Sequence, residues 1–105
     1  MNFSDKVYEL IKKIPSGRVT TYKALARKLN TKGYQAVGNS LNKNPCPIVA
    51  PCHRVIKTDG SIGGYKNGSK KKIQLLQKEG IKTEVNSNNL SKSKIANFEK
   101  YLKKF

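Results

Sequence analysis

The sequence predicts a small, mainly α-helical domain with a small β ribbon, and three observations support this prediction. Its 105 residues are enough for one domain with a short tail. Apolar residues recur at helical spacing in several segments, each bounded by a capping residue or by Pro and Gly. The turn signal Thr58-Asp59-Gly60 lies between two short apolar runs, Val55-Ile56-Lys57 and Ser61-Ile62, and predicts the ribbon.

The first helix is predicted near the N-terminus of the sequence. It carries four apolar residues at the i, i+3, i+4, i+7 spacing: Val7, Leu10, Ile11 and Ile14. Ser4 is its expected cap, and Pro15-Ser16-Gly17 ends it.

Two further short helices follow, joined by a turn. The second is capped by Thr20 or Thr21 and buries three residues: Ala24, Leu25 and Leu29. The third carries Tyr34, Val37 and Leu41 on one face. Two short helices with a short turn between them predict a helix-turn-helix. Gly38 interrupts the third helix, which costs stability unless another surface approaches closely there.

The remaining residues predict a fourth helix and then a tail. Ser69 is the expected cap of this helix, and Gly80 ends it as a C-terminal glycine. Residues 83–93 are rich in Asn and Ser and predict a linker. The last predicted helix would place four residues on one side: Ile95, Phe98, Leu102 and Phe105. We therefore divide the chain into a domain over residues 1–80 and a linker with a short helix over 81–105.

The charge of the chain indicates its partner. Twenty-two Lys and Arg oppose six Asp and Glu, a formal net charge of +16, and such a surface attracts phosphate backbones. A lysine-rich composition without any such partner is the alternative. No stretch approaches the ~20 apolar residues of a membrane helix and no signal peptide is evident, so we expect no membrane partner and a cytoplasmic location, nucleoid-associated in a prokaryote.

Two Cys and one His limit the covalent and metal chemistry. We expect neither a disulfide scaffold nor a metal site. The residues that can carry chemistry lie together in Pro51-Cys52-His53-Arg54-Val55, where an imidazole and nearby cations would favour the Cys52 thiolate as a nucleophile. Neighbouring side chains in extended backbone point to opposite faces, so a relay between them needs a bend or a bridging water. A buried structural Cys beside a surface His remains the alternative from residue types alone.

This segment, preceded by Asn44-Pro45 and followed by Gly63-Gly64-Tyr65, resembles the active-site signature of the O6-alkylguanine-DNA alkyltransferases. These proteins repair alkylated guanine by moving the alkyl group onto a cysteine. The resemblance extends from Phe3 to Gly80 and corresponds to the family's C-terminal catalytic domain. It implies a winged-helix-like helix-turn-helix DNA-binding domain and a methylated-DNA-cysteine methyltransferase that acts once and needs no cofactor.

The resemblance also implies roles for single residues. Cys52 would be the nucleophile, His53 would draw its proton through water, and Glu79 would orient the imidazole. The base and alkyl pocket would be formed by five residues: Tyr22, Asn44, Val55, Tyr65 and Lys66. Among them, Tyr22 would donate a hydrogen bond to the base and Asn44 would tie the recognition helix to the cysteine loop.

The implied partner is double-stranded DNA, bound by a monomer through the minor groove with the O6-alkylguanine turned out of the stack. The implied contacts are Tyr34, Gln35, Ala36, Gly38 and Arg54. Gln35 occupies the position where the family usually has an intercalating arginine, so we expect weaker or slower base flipping.

Two other functions remain open at this stage. One is a noncatalytic alkyltransferase-like protein that binds and flags alkylated DNA; such proteins typically have tryptophan or another residue at the cysteine position, and Cys52 argues against this function. The other is a plain basic winged-helix module that only binds DNA.

Overall fold

The computed structural model describes residues 2–30, 33–43, 51–63, 65 and 68–103. Over these residues the chain forms a four-helix domain with small sheets, in agreement with the mainly α prediction. The helices are α1 (Phe3–Ile11), α2 (Tyr22–Lys28), α3 (Tyr34–Asn42) and α4 (Ser69–Lys78). The strands are β1 (Thr20–Thr21), β2 (Val55–Ile56), β3 (Thr83–Glu84) and β4 (Lys94–Ile95). Within these ranges no helix is long and apolar enough to cross a bilayer.

Helix α1 begins at a different cap from the one predicted. Asn2 and Asp5 form a capping box, in which each side chain accepts a hydrogen bond from the backbone of the other. The Ser4 hydroxyl instead hydrogen-bonds to the Ser40 hydroxyl on α3 at 2.9 Å. Tyr8 adds a 2.6 Å hydrogen bond to the Ser40 carbonyl, so α1 is held against α3 by polar contacts as well as by packing.

Most residues of the predicted apolar stripes of the first three helices lie in one core, but Ala26 is buried on α2 in place of the predicted Ala24, and Leu29 is only partly buried. The fully or nearly buried members of this core are Val7, Leu10, Ile11, Ile14, Leu25, Ala26, Val37, Leu41, Cys52 and Val55. Helix α1 ends at Ile11, before the predicted stop at Pro15-Ser16-Gly17. Thr21, one of the two predicted caps, accepts a hydrogen bond from Ala24 N and begins α2. Helices α2 and α3 pack on each other as a helix-turn-helix requires.

The predicted ribbon is wrong in its pairing. Lys57 N donates to Ser61 O at 2.9 Å, so the turn is present, but β2 pairs with β1 in parallel. Ser61 forms an isolated bridge with Lys94 instead. Val55 and Ile56 are completely buried, and a buried strand can take its partner from a distant segment that local spacing cannot reveal.

The C-terminal segment, residues 83–103, folds back on the domain where the sequence predicted a linker and a helix. Strands β3 and β4 are antiparallel, and two 3₁₀ helices cover Leu90–Lys92 and Phe98–Tyr101. Asn97 has a left-handed backbone (φ +53°), which separates β4 from the last turn and prevents the predicted helix. The segment covers a second core cluster: Val19, Ile56, Ile62, Ile73, Leu76, Ile81 and Ile95.

Main-chain hydrogen bonds attach this C-terminal segment to the domain. Ile62 N donates to Ser93 O at 2.8 Å and Gly63 N to Ser91 O at 3.0 Å. Val19 exchanges two further bonds with the end of the segment, from its N to Tyr101 O and from Lys103 N to its O, each 2.8 Å. The segment is therefore an integral part of the fold.

Candidate active site

Cys52 lies in a short 3₁₀ helix, Cys52–Arg54, between Pro51 and β2. Arg54 N donates to Pro51 O at 3.0 Å and closes the turn. The Cys52 side chain belongs to the first core cluster, is 4% exposed and forms no disulfide. The turn supplies the bend that adjacent Cys and His side chains need in order to act on a common site.

His53 contacts the predicted carboxylate. Its Nε2 lies 3.0 Å from Glu79 Oε2, and the ring is 5% exposed. A carboxylate can only accept, so this contact places the ring proton on Nε2 and leaves a lone pair on Nδ1. Nδ1 is buried and has no hydrogen-bond partner within the described residues. Burial lowers the pKa of His53, although Glu79 opposes this shift, and the neutral imidazole is favoured.

The end of α4 fixes the position of Glu79. Gly80 has φ +87°, and its N donates to Gln77 O while Ile81 N donates to Leu76 O, which forms a Schellman motif. Gly80 was predicted to end this helix, and it does. At its other end Gly68 occupies the cap position predicted for Ser69, whose hydroxyl donates to Gly63 O at 3.4 Å.

Arg54 compensates for a carboxylate at the C-terminal end of a helix, where the dipole disfavours it. Its Nε lies 3.0 Å from Glu79 Oε1, and its Nη2 donates to Oε2. Burial alone would raise the pKa of Glu79, but hydrogen bonds from Arg54 and His53 lower it. Arg54 Nη1 also donates to Ile14 O at 2.7 Å, so its described contacts are structural and differ from the expected DNA contact.

Two tyrosines of the predicted pocket lie against the cluster that contains Cys52. Tyr22 and Tyr65 are both partly buried there. Burial raises the pKa of Tyr22, and the charge that Cys52 can carry adds to this effect. Val55 is fully buried at the start of β2. Of the other predicted pocket residues, Asn44 and Lys66 lie outside the described part of the chain.

An open cavity of about 400 Å³ adjoins Tyr22. The described residues that line it are Tyr22, Lys23, Lys57 and Thr58. Its two cationic side chains beside an aromatic ring provide an environment suited to a polyanion that carries a base.

Two of the predicted DNA-contacting residues of α3 are exposed to solvent. Gln35 and Ala36 are exposed, and Gly38 is partly buried. A Cβ added at Gly38 would meet no atom within 4 Å, so no packing inside the described protein requires a glycine there. Tyr34 is the first residue of α3, and its side chain lies outside the described part.

The sequence analysis missed Lys72. This side chain is 1% exposed, and its Nζ donates to Val55 O at 2.7 Å. Burial lowers the pKa of Lys72 to about 7, while the charge of Cys52 acts in the opposite direction. The available signal was periodicity, since Lys72 precedes Leu76 by four residues and Glu79 by seven and therefore shares their face of the helix.

No group of three or more His, Cys, Asp and Glu side chains able to hold a metal ion occurs in the described residues. The described geometry is instead a His53–Glu79 contact at the turn that also carries Cys52. Side chains of these three types occur together in proteins that use a cysteine nucleophile.

Comparisons with known proteins show the family of the chain. The model of the 6-O-methylguanine DNA methyltransferase, DNA binding domain, matches residues 2–81, and the chain belongs to this family. The methylated-DNA--protein-cysteine methyltransferase of Thermococcus kodakarensis is 51% identical over 81 residues, which cover 76% of this chain and 45% of that protein. The chain spans about half the length of the curated relatives it matches.

Two solved structures differ in how much of the chain they cover. The O6-methylguanine-DNA methyltransferase of Pyrococcus kodakaraensis KOD1 is 48% identical with a TM-score of 0.71, and the match covers 77% of this chain and 47% of that one. S. pombe Atl1, solved with damaged DNA containing O6-carboxymethylguanine, is 27% identical with a TM-score of 0.82. That match covers 97% of this chain and 94% of Atl1, so it includes the C-terminal segment.

Proposed function

We propose that this chain repairs DNA by direct, irreversible and stoichiometric transfer of an alkyl group from O6 of guanine in duplex DNA to Cys52. In this proposal residues 1–80 correspond to the catalytic C-terminal domain of the alkyltransferases. The observation that carries the proposal is the 3.0 Å contact between His53 Nε2 and Glu79 Oε2, directly beside a free cysteine. Family membership and relatives named methyltransferases support it.

The first step is removal of the thiol proton. Glu79 accepts the hydrogen bond of His53 Nε2–H, so the Nδ1 lone pair is the available base. Because burial lowers the pKa of His53, the ring is neutral near pH 7 and can accept a proton. We infer that a water molecule relays this proton from Cys52 to Nδ1.

The second step moves the alkyl group. Cys52 Sγ forms a bond to the alkyl carbon while the bond between that carbon and O6 breaks, and the electron pair remains on the guanine. The guanine then takes up one proton, which balances the proton lost by the thiol. The product is a thioether, which thiol exchange cannot reverse because exchange requires a sulfur–sulfur bond. Each molecule therefore acts once, and no cofactor takes part.

The pocket supports the departure of the guanine. A donor near the purine stabilises the charge that develops as the bond to O6 breaks. Burial raises the pKa of Tyr22, which keeps its hydroxyl protonated and able to donate. Tyr65 and Val55, which lie in the same cluster as Cys52, would border the alkyl group, together with Asn44 and Lys66.

The partner in this proposal is double-stranded DNA bound by a monomer, with the winged-helix-like α2–α3 unit in the minor groove. A stacked base cannot present its O6 substituent to a thiol, so the nucleotide is turned out at a cost of a few kcal/mol. Gln35 and Ala36 are exposed, and among the described residues no atom lies within 4 Å of the Cβ position at Gly38, so α3 offers a surface that a DNA backbone can approach. The formal charge of +16 supplies the attraction. In a cell this activity belongs in the cytoplasm, on the nucleoid in a prokaryote.

A second candidate function is noncatalytic recognition of alkylated DNA. The nearly complete mutual coverage with Atl1, solved on damaged DNA, favours it. Cys52 favours transfer, since alkyltransferase-like proteins typically have tryptophan or another residue at this position.

One experiment separates the two functions. The protein is incubated with a duplex that contains one O6-methylguanine and is then weighed by intact mass spectrometry. Transfer predicts a gain of one methylene unit in the wild type and in Cys46→Ser, and no gain in Cys52→Ser. Binding of the duplex without a gain in mass would contradict transfer and support recognition.

A further inference from the structure

Lys72 is a buried lysine within the apolar face of α4. Its side chain is 1% exposed, whereas Lys70 and Lys71, immediately before it on the same helix, are exposed. Its Nζ donates a hydrogen bond to the Val55 carbonyl at 2.7 Å. Burying an ammonium group is costly unless a partner of opposite charge compensates it.

The proposed nucleophile is itself a group that can carry the opposite charge near Lys72. Val55 follows the Cys52–Arg54 turn directly, and α4 packs on that turn. The titratable groups that interact electrostatically with Lys72 include Cys52, His53 and Lys57. Of these three groups only Cys52 can become an anion. Its charge raises the pKa of Lys72, against burial and Lys57, which lower it.

We propose that Lys72 is a positioning residue whose ammonium group stabilises the Cys52 thiolate in the reactive state. This inference rests on the proposed role of Cys52 as nucleophile. His53 removes the thiol proton, and Lys72 keeps its own proton and balances the negative charge left on sulfur.

A merely structural role for Lys72 leads to a different expectation. An apolar side chain of similar length would fill the same space without the cost of a buried charge, and such replacements are often neutral or stabilising. Lys72→Met is therefore the informative variant, because it keeps the volume and removes the charge. Lys72→Arg keeps the charge, and Lys71→Met is the matched control on the exposed side of α4.

The test measures the thiolate of Cys52 by its ultraviolet absorbance as a function of pH. Cys46→Ser is used as the background, so that Cys52 is the only thiol, and the signal of the Cys46→Ser, Cys52→Ser double variant is subtracted. We expect Lys72→Met to move thiolate formation to higher pH by at least about one unit. Lys72→Arg keeps the charge, so its thiolate titration should stay close to that of the background protein. Lys71→Met should leave the titration curve unchanged. Superimposable curves for the background protein and its Lys72→Met form would overturn the proposal.

A reciprocal measurement covers the case in which Lys72→Met does not fold. Coupling between two titrating groups acts equally on both. The titration of the Lys72 side chain, followed by NMR in the protein with its natural Lys72, should therefore move to lower pH in Cys52→Ser. An unchanged Lys72 titration would contradict the inference. If the thiolate depends on Lys72 but no alkyl group is transferred from DNA, the repair function fails and the role of Lys72 stands.

Discussion

Replacing Glu79 by Gln tests the geometry of the whole site, because this carboxylate accepts hydrogen bonds from both His53 and Arg54. The substitution keeps the shape and removes the charge. It leaves the Arg54 guanidinium, whose side chain is 16% exposed, without its anion. Removing one partner of a buried ion pair costs about 3–5 kcal/mol, and the residual exposure here favours the lower end.

The expected loss in Glu79→Gln is therefore about 3 kcal/mol of the free energy of unfolding. With a urea m-value of about 1.5 kcal/mol/M for a small domain, the midpoint of unfolding should fall by about 2 M at pH 7. Glu84→Gln is the control, since Glu84 is exposed on β3, and its effect should stay within about 0.5 kcal/mol.

The loss of stability in Glu79→Gln should depend on pH in a direction that follows from the pKa of Glu79. The pKa of Glu79 is lowered in the folded protein from its ordinary value of 4.5. Its contribution to stability is therefore complete above pH 4.5 and is lost as the pH falls through the folded-state value. The difference in the free energy of unfolding between the wild type and Glu79→Gln should therefore become smaller at acidic pH. Equal urea midpoints for the Glu79 and Glu84 variants at pH 7 would refute the reasoning.

Two further predictions concern α3. Gly38→Ala should raise the free energy of unfolding by about 0.5–1 kcal/mol, since helix propensity improves and no atom of the described residues outside the helix backbone lies within 4 Å of the new Cβ. It should weaken binding to duplex DNA measured by anisotropy at fixed salt; a variant that is more stable and binds equally well would argue against a DNA contact at this position. Gln35→Arg should increase the single-turnover rate of methyl transfer from one lesion-bearing duplex, because a guanidinium fills the emptied base stack better than an amide. Equal rates for the two proteins would show that Gln35 does not limit base flipping.

Local features of the fold could be predicted from the sequence, and long-range pairings could not. The stripes of α1 to α3, the Thr21 cap and the Gly80 terminus all depend on residues within one or two turns of each other. The cap of α1 was predicted two residues too late, because Ser4 and Asn2 are both good caps and only the pairing with Asp5 distinguishes them. The parallel pairing of Thr20 with Val55 joins segments that share no local pattern.

The candidate site likewise contains one feature that was expected from the sequence and one that was not. The juxtaposition of His53 and Glu79 was expected from the family resemblance, and the structure brings these two side chains together. Lys72 was overlooked because a lysine in a run of lysines is ordinarily solvated. Its burial becomes evident only when α4 is placed against the Cys52 turn.

The way in which the C-terminal segment is attached has a consequence for how freely this part of the sequence can change. Its links to Val19, Ile62 and Gly63 run through peptide groups on both sides, and peptide groups are the same whatever side chains they carry. Substitutions among the exposed residues of the segment should therefore leave its attachment intact, provided that Ile95 and the apolar residues around it still fill the second cluster. Distant homologues could retain this attachment while sharing little recognisable sequence beyond residue 82.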